Sequence, residues 1–118
     1  MDALAEVSAA FQAYEKALVD NDVEVMLGFF AEDAVRYGIA DQQVGRDEQR
    51  RWRLAQPPLP EGRFLKNTIL QPYGNQVVIV NTQFGYPGRD VLGRQSQTWV
   101  RLPEGWRIVA AHVSEPSE

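Results

Sequence analysis

Apolar residues recur at alternating gaps of three and four near the start of the chain, which is the spacing of one face of an amphipathic helix. This apolar stripe consists of Leu4, Val7, Phe11, Tyr14 and Leu18. The helix is expected to end near Asn21 and Asp22, and either residue suits the N-cap of a second helix. The same spacing continues over a shorter second helix through Val23, Met26, Leu27 and Phe30.

The middle of the chain predicts a short strand followed by a third helix. The strand covers Ala34–Gly38, and a polar turn follows it as far as Gly45. The third helix is expected over Arg46–Ala55, because the prolines within residues 57–60 cannot continue a helix.

The second half of the chain has the alternation and the β-branched composition of strands. Four strands are predicted, over Arg63–Gln71, Gln76–Phe84, Gly93–Leu102 and Trp106–Ser114. Helices followed by an antiparallel meander predict an α+β domain whose N-terminal helices pack on one face of the sheet. No repeat or linker interrupts the pattern, so residues 1–118 are expected to form a single domain.

One predicted strand is apolar on both of its faces. Val77, Val78, Ile79 and Val80 are consecutive, and alternating side chains of a strand point to opposite faces. The helices cover one face of the sheet, and no further helix is left to cover the other. A second copy of the chain is the natural cover, so we expect a homodimer or a higher homo-oligomer formed through the sheet face.

Composition narrows the chemistry of this 118-residue chain. It has no cysteine and one histidine, His112, which excludes thiolate catalysis and a histidine-rich or cysteine-rich metal site. No metal or other cofactor is expected. There is no long apolar run and no signal-peptide pattern, so the expected location is the cytoplasm, away from membranes. A net charge of −4 weighs against nucleic acid as a partner.

Tyr14 and Arg36 each allow two interpretations. Tyr14 is either a core aromatic or a phenol that reaches a pocket, where a nearby arginine would favour its ionised form. Arg36 lies in a short apolar run and needs an anion. That anion is either a structural carboxylate such as Asp33 or Asp41, or a substrate carboxylate held by the guanidinium fork.

Alternation divides the last hairpin into two faces. Gln95, Gln97 and Trp99 share one face of the first strand, whereas His112 shares a face with Ile108 and Ser114 on the second. A lone histidine is usually structural, although the neighbouring Ser114 would allow His112 to act as a base. Trp99 is typical of a core or interface residue.

The segment over residues 93–114 resembles the C-terminal signature of the nuclear-transport-factor-2-like superfamily, and within it the AtzH/HpxZ family of cyanuric acid and oxalurate catabolism. Residues 11–18, Asn21-Asp22, residues 36–39, Gly45 and Arg53 match the same family in order. The resemblance implies N-terminal helices packed into a strongly curved antiparallel sheet, which forms a cone around a pocket. Near the end of helix 3 the family often has an arginine where this chain has Gln56.

The resemblance also implies an activity. It implies a hydrolase, of the amidohydrolase or decarboxylating type, that acts on a small carboxylated urea such as a dicarboxyurea or an oxalurate-type compound. The family's implicated pair corresponds here to Tyr14 and Arg36. Tyr14 would transfer a proton or attack the substrate, and Arg36 would hold a substrate carboxylate.

A more distant resemblance, to the association domain of calmodulin-dependent kinase, implies a pocket residue at Gln97. Gln95 and Gln97 are therefore candidate pocket amides, and Trp99 and His112 complete the set of candidate substrate-binding residues. The kinase resemblance also supports an alternative function, a non-catalytic homo-oligomeric domain that binds a small acid. A relative of polyketide cyclases or isomerases is a third interpretation.

Overall fold

The computed structural model describes residues 2–116 and begins with two helices. Helix α1 spans Ala3–Val19 and helix α2 spans Val23–Leu27. Asn21 adopts a left-handed conformation with φ 56° between them, and Asp22 is the N-cap of α2, where it accepts a hydrogen bond from the backbone N–H of Val25 at 3.4 Å. No helix within residues 2–116 is both long enough and apolar enough to cross a membrane.

Six strands and a third helix follow. Their bounds are β1 Phe30–Tyr37, β2 Gln42–Val44, α3 Arg46–Leu54, β3 Phe64–Tyr73, β4 Val77–Gly85, β5 Gly93–Leu102 and β6 Gly105–Ser114. The strands form one sheet in the order β2-β1-β6-β5-β4-β3. The α+β class is confirmed. One pair departs from the antiparallel expectation, because β1 lies parallel to β6.

Strand β1 begins four residues before the predicted start. Phe30 continues the apolar spacing of the second helix, yet it pairs with Ile108 of β6 and is buried in the core as a strand residue. Strand β2 lies inside the segment that was predicted as a polar turn, and its Gln43 pairs with Arg36. Pairing with β1 therefore makes a strand of a segment that is polar in sequence.

Helix α1 packs its apolar stripe against the inner face of the sheet. Val7, Phe11, Tyr14 and Leu18 are buried as predicted, whereas Leu4 is partly exposed. The ring of Tyr14 meets the edge of Phe30 with 5.8 Å between centroids. Aromatic contacts of this kind hold a ring in one orientation.

A β-bulge at Val109 changes which side chains of β6 face the core. Thr98 pairs with Ala110, but the next residue of β5, Trp99, pairs with Ile108, so Val109 is an extra residue. Ile108 is consequently buried, while His112 lies on the outer face. The prediction that Ile108 and His112 share a face is wrong for this reason.

Candidate functional site

A cavity of about 290 Å³ opens between helices α1 and α3 and the inner face of the sheet. Its charged lining residues are Arg36, Asp41, Arg53, Arg63, Arg89 and Glu115. Its other lining residues include Tyr14, Trp52, Phe84, Tyr86 and Gln95. Within residues 2–116 no group of three or more His, Asp or Glu side chains is placed to hold a metal ion. The cavity wall is thus rich in arginine and aromatic rings.

Tyr14 reaches the cavity from helix α1, where its ring is 3% exposed. Burial raises the pKa of Tyr14 above its ordinary value, and the negative charge of Glu15 adds to this effect. The positive charges of Arg53, Arg36 and Arg63 oppose the effect but do not overcome it. The neighbouring arginines thus favour the ionised phenol as expected, but burial outweighs them and the net shift of the Tyr14 pKa is upward. A neutral phenol is a hydrogen-bond donor and an acid.

The raised pKa gives a testable pH dependence. The folded state holds the Tyr14 proton more tightly than the unfolded chain does. The contribution of Tyr14 to the free energy of unfolding should therefore be fully present below pH 10.0, and it should be lost as the pH rises through the pKa of the folded state. In a pH titration, the phenolate absorbance of wild type minus that of Tyr14→Phe should have its midpoint above pH 10.0. A midpoint at or below that value would contradict the assignment.

Arg36 is held by a carboxylate and an amide at the cavity wall. Its Nη1 donates to Asp41 Oδ2 at 2.6 Å and to Gln43 Oε1 at 2.9 Å, and Gln43 Nε2 donates to the same Asp41 oxygen at 2.9 Å. Burial acts to raise the pKa of Asp41, but the hydrogen bonds from Gln43 and Arg36 keep that pKa below its ordinary value. The structural carboxylate Asp41, one of the two partners expected for Arg36, therefore lies beside it.

Arg63 forms a second buried network with Glu15 and Gln95. Its Nε and Nη2 donate to the two Glu15 oxygens at 3.1 and 3.4 Å, and Nη2 also donates to Gln95 Oε1 at 3.2 Å. Gln95 Nε2 in turn donates to Glu15 at 3.2 Å. The Arg63 guanidinium lies 4.5 Å from the centroid of the Phe84 ring. The Gln95 amide is therefore present at the cavity and fixed in orientation.

Arg53 differs from both of these arginines. Its guanidinium carbon lies 4.8 Å from the centroid of the Trp52 ring, and that of Arg36 lies at the same distance from this ring. The Arg53 Nε is buried without a hydrogen-bond partner, and no carboxylate among residues 2–116 pairs with this arginine. Burial lowers the pKa of Arg53.

Comparison with known sequences shows which family the chain belongs to. A family model described as AtzH-like matches residues 1–118. The chain belongs to the AtzH-like family. None of the curated proteins compared with it matches.

Several solved structures are similar to this AtzH-like chain. A protein of unknown function from the DUF3225 family of Pectobacterium atrosepticum is 49% identical, with a TM-score of 0.93 over 98% of this chain and 91% of that one. A cystatin-like fold protein from Burkholderia xenovorans is 45% identical, with a TM-score of 0.91 over 98% and 93%. An NTF2-like protein of unknown function from Pseudomonas putida, 16% identical, has a TM-score of 0.83 over 98% and 88%. The nuclear-transport-factor-2-like fold is confirmed.

Of the four residues predicted to bind substrate, this AtzH-like chain brings only Gln95 to the cavity. Gln97 is buried deeper, where it accepts a hydrogen bond from Trp99 Nε1 at 2.9 Å. Trp99 is wholly buried in the core. His112 lies on the opposite face of the sheet, with its ring centroid 5.7 Å from that of Tyr37. Because this face is across the sheet from the cavity, His112 cannot reach a ligand bound there.

Several cavity residues were missing from the predicted site of this AtzH-like chain. They include Arg53, Arg63, Phe84 and Tyr86 of the cavity lining, and Glu15, which accepts hydrogen bonds from Arg63 beside the cavity, was missing as well. The sequence named Arg53 as a position that matches the family. The sequence did contain a signal for Arg53. Gln49, Trp52 and Arg53 lie on one face of helix α3 because they are three and four residues apart, and the burial of Gln49 shows that this face points inward.

Proposed function

We propose that the protein is a hydrolase of a small carboxylated urea or amide. The observation that carries the proposal is the buried Tyr14 phenol, held neutral in a cavity that it shares with four arginines. The cavity volume of about 290 Å³ is near the lower end of ligand pockets, which suits a small substrate. Arginine-rich walls suit carboxylates.

In the proposed reaction, water adds to the carbonyl carbon of the substrate and the C–N bond breaks. Tyr14 donates its proton to the leaving nitrogen, and the proton lost by the water returns to the phenolate. Arg36, oriented by Asp41 and Gln43, stabilises the negative charge that develops on the carbonyl oxygen. In this reaction Arg36 is no longer the main anchor of a substrate carboxylate, because Asp41 already neutralises the charge of Arg36.

A non-catalytic small-acid-binding domain is the second candidate, and one observation favours it. Arg36 and Arg63 are both paired with carboxylates of the chain, and Tyr14 is held in its neutral form. A cavity of this kind binds an acid without presenting an ionised nucleophile.

One experiment separates the two functions. Thermal-shift screening of ureido acids, oxamic acids and carboxylated ureas identifies ligands, and mass spectrometry of each ligand after incubation detects hydrolysis products. We expect the wild-type protein to convert at least one ligand. Binding without any product would overturn the hydrolase proposal and support the binding domain.

We also propose that a homodimer forms through the outer face of the sheet. Ile79 is half-buried on this face, next to Thr98 of β5, and the exposed Tyr37 lies on the same face in β1. Apolar strand faces of this kind are usually covered by another element or subunit.

Light scattering after gel filtration tests the dimer. Wild type should elute with twice the mass of one chain, and Ile79→Arg should elute as a monomer because it would bury an unpaired guanidinium at the interface. Gln12→Arg, on the exposed side of α1, should remain a dimer. A monomeric wild type would contradict the proposal.

A further inference from the structure

Arg53 is a cation of the cavity wall that forms no salt bridge within residues 2–116. The other three arginines of the wall each have one, in the pairs Arg36–Asp41 at 2.6 Å, Arg63–Glu15 at 3.1 Å and Arg89–Glu115 at 2.9 Å. Arg53 lines the same cavity and keeps its Nε buried and unbonded.

The Arg53 side chain is half-buried and its Nε is buried without a hydrogen-bond partner, so this unpaired cation is partly withdrawn from water in the ligand-free protein. A buried charge is normally paired, because its desolvation is otherwise uncompensated. Arginine does not resolve this conflict by losing its proton. Burial is the main cause of the lowered pKa of Arg53, and the positive charges of Arg36 and Arg63 add to it, while Tyr14 and Asp41 oppose the effect without overcoming it. An anion from outside the described residues would supply the ion-pair partner that Arg53 lacks within residues 2–116.

The Trp52 ring orients the Arg53 guanidinium for binding an anion. The ring lies 4.8 Å from the guanidinium carbon of Arg53, and stacking on an aromatic ring holds a guanidinium plane in place while its edge remains free to donate. A planar carboxylate matches that edge with two parallel hydrogen bonds.

We propose that Arg53 binds the one anionic group of the ligand and that the cavity therefore selects small monoanions over dianions. The inference rests on the proposed function for the urea or amide body of that ligand. One unpaired cation balances one carboxylate. A second carboxylate would find Arg36 and Arg63 already neutralised, and it would be repelled by the carboxylates of Asp41 and Glu15.

Three probes of nearly equal size test the selection. Oxamide, oxamate and oxalate carry zero, one and two negative charges, since each step replaces an amide with a carboxylate. Calorimetric titration of wild type should give the tightest binding for oxamate. Arg53→Gln should weaken oxamate by at least about tenfold, because it removes hydrogen bonds to a charged group. Arg53→Lys should retain part of the affinity, and Arg51→Gln, an exposed position on the same helix, should retain all of it.

A second readout distinguishes binding from a structural role. Without ligand, Arg53→Gln should be more stable than wild type in urea denaturation, because it removes an unpaired, half-buried charge that lies near Arg36 and Arg63, whereas loss of a structural arginine would leave a less stable variant. Undiminished oxamate affinity in Arg53→Gln, or oxalate binding as tight as oxamate binding in wild type, would overturn the inference. Neither measurement depends on turnover, so a failed hydrolase proposal would show itself separately as binding without product.

Discussion

A Tyr14→Phe variant is expected to fold and to bind its ligand, yet to lose turnover by about 10²–10⁴-fold, the range for removing a positioned acid or base. Phenylalanine keeps the ring and its edge contacts with Phe29 and Phe30, whose centroids lie 6.3 and 5.8 Å away. Only the hydroxyl is lost. Arg53 and Arg36 remain in the cavity wall, so binding should change little.

Turnover is measured by product formation on a ligand identified in the screen, with thermal shift reporting binding in the same samples. Tyr73→Phe is a matched control, because Tyr73 is 60% exposed in β3 and removal of its hydroxyl leaves the cavity intact. Full activity in Tyr14→Phe would exclude Tyr14 as the proton donor. Loss of both binding and turnover would instead assign the hydroxyl to ligand binding.

Local sequence pattern predicted most of the fold. Strand β5 has the predicted bounds, and the stripe of α1 is buried from Val7 onward, because amphipathic spacing directly reports burial. The parallel pairing of β1 with β6 and the bulge at Val109 were not predictable in this way. Both depend on which strands meet across the sheet, and alternation within one strand carries no information about its neighbour.

The site was predicted less completely than the fold. Tyr14, Arg36 and Gln95 reach the cavity, and their functional roles stay predictions. Gln97 shares a face with Gln95, but it lies one pair of residues deeper and outside the cavity lining, where its amide oxygen accepts a hydrogen bond from Trp99 Nε1. Arg53 was missed because its proposed role depends on its having no salt bridge within residues 2–116. The spacing along helix α3 could have placed Arg53 on the face of Gln49 and Trp52, but the lack of a salt bridge depends on where every neighbouring carboxylate lies in the folded chain.

A Glu15→Gln variant is expected to lose about 3–5 kcal/mol of unfolding free energy, the usual cost of removing one partner of a buried ion pair. Glutamine keeps the shape and one acceptor, but it leaves Arg63, whose side chain is 5% exposed, without its counter-charge. The unpaired Arg63 would then share the cavity with the unpaired Arg53. Urea denaturation followed by circular dichroism measures the loss.

Two comparisons show that this loss comes from the buried charge. Asp20→Asn breaks the neighbouring pair Lys16–Asp20, whose side chains are 77% and 51% exposed, and it should cost about 0.5 kcal/mol or less. Glu15→Gln combined with Arg63→Met removes both charges and should recover most of the stability. Since Glu15→Gln adds a second unpaired cation to the cavity, oxalate should stabilise this variant more than it stabilises wild type. A variant as stable as wild type would show that Glu15 does not neutralise Arg63.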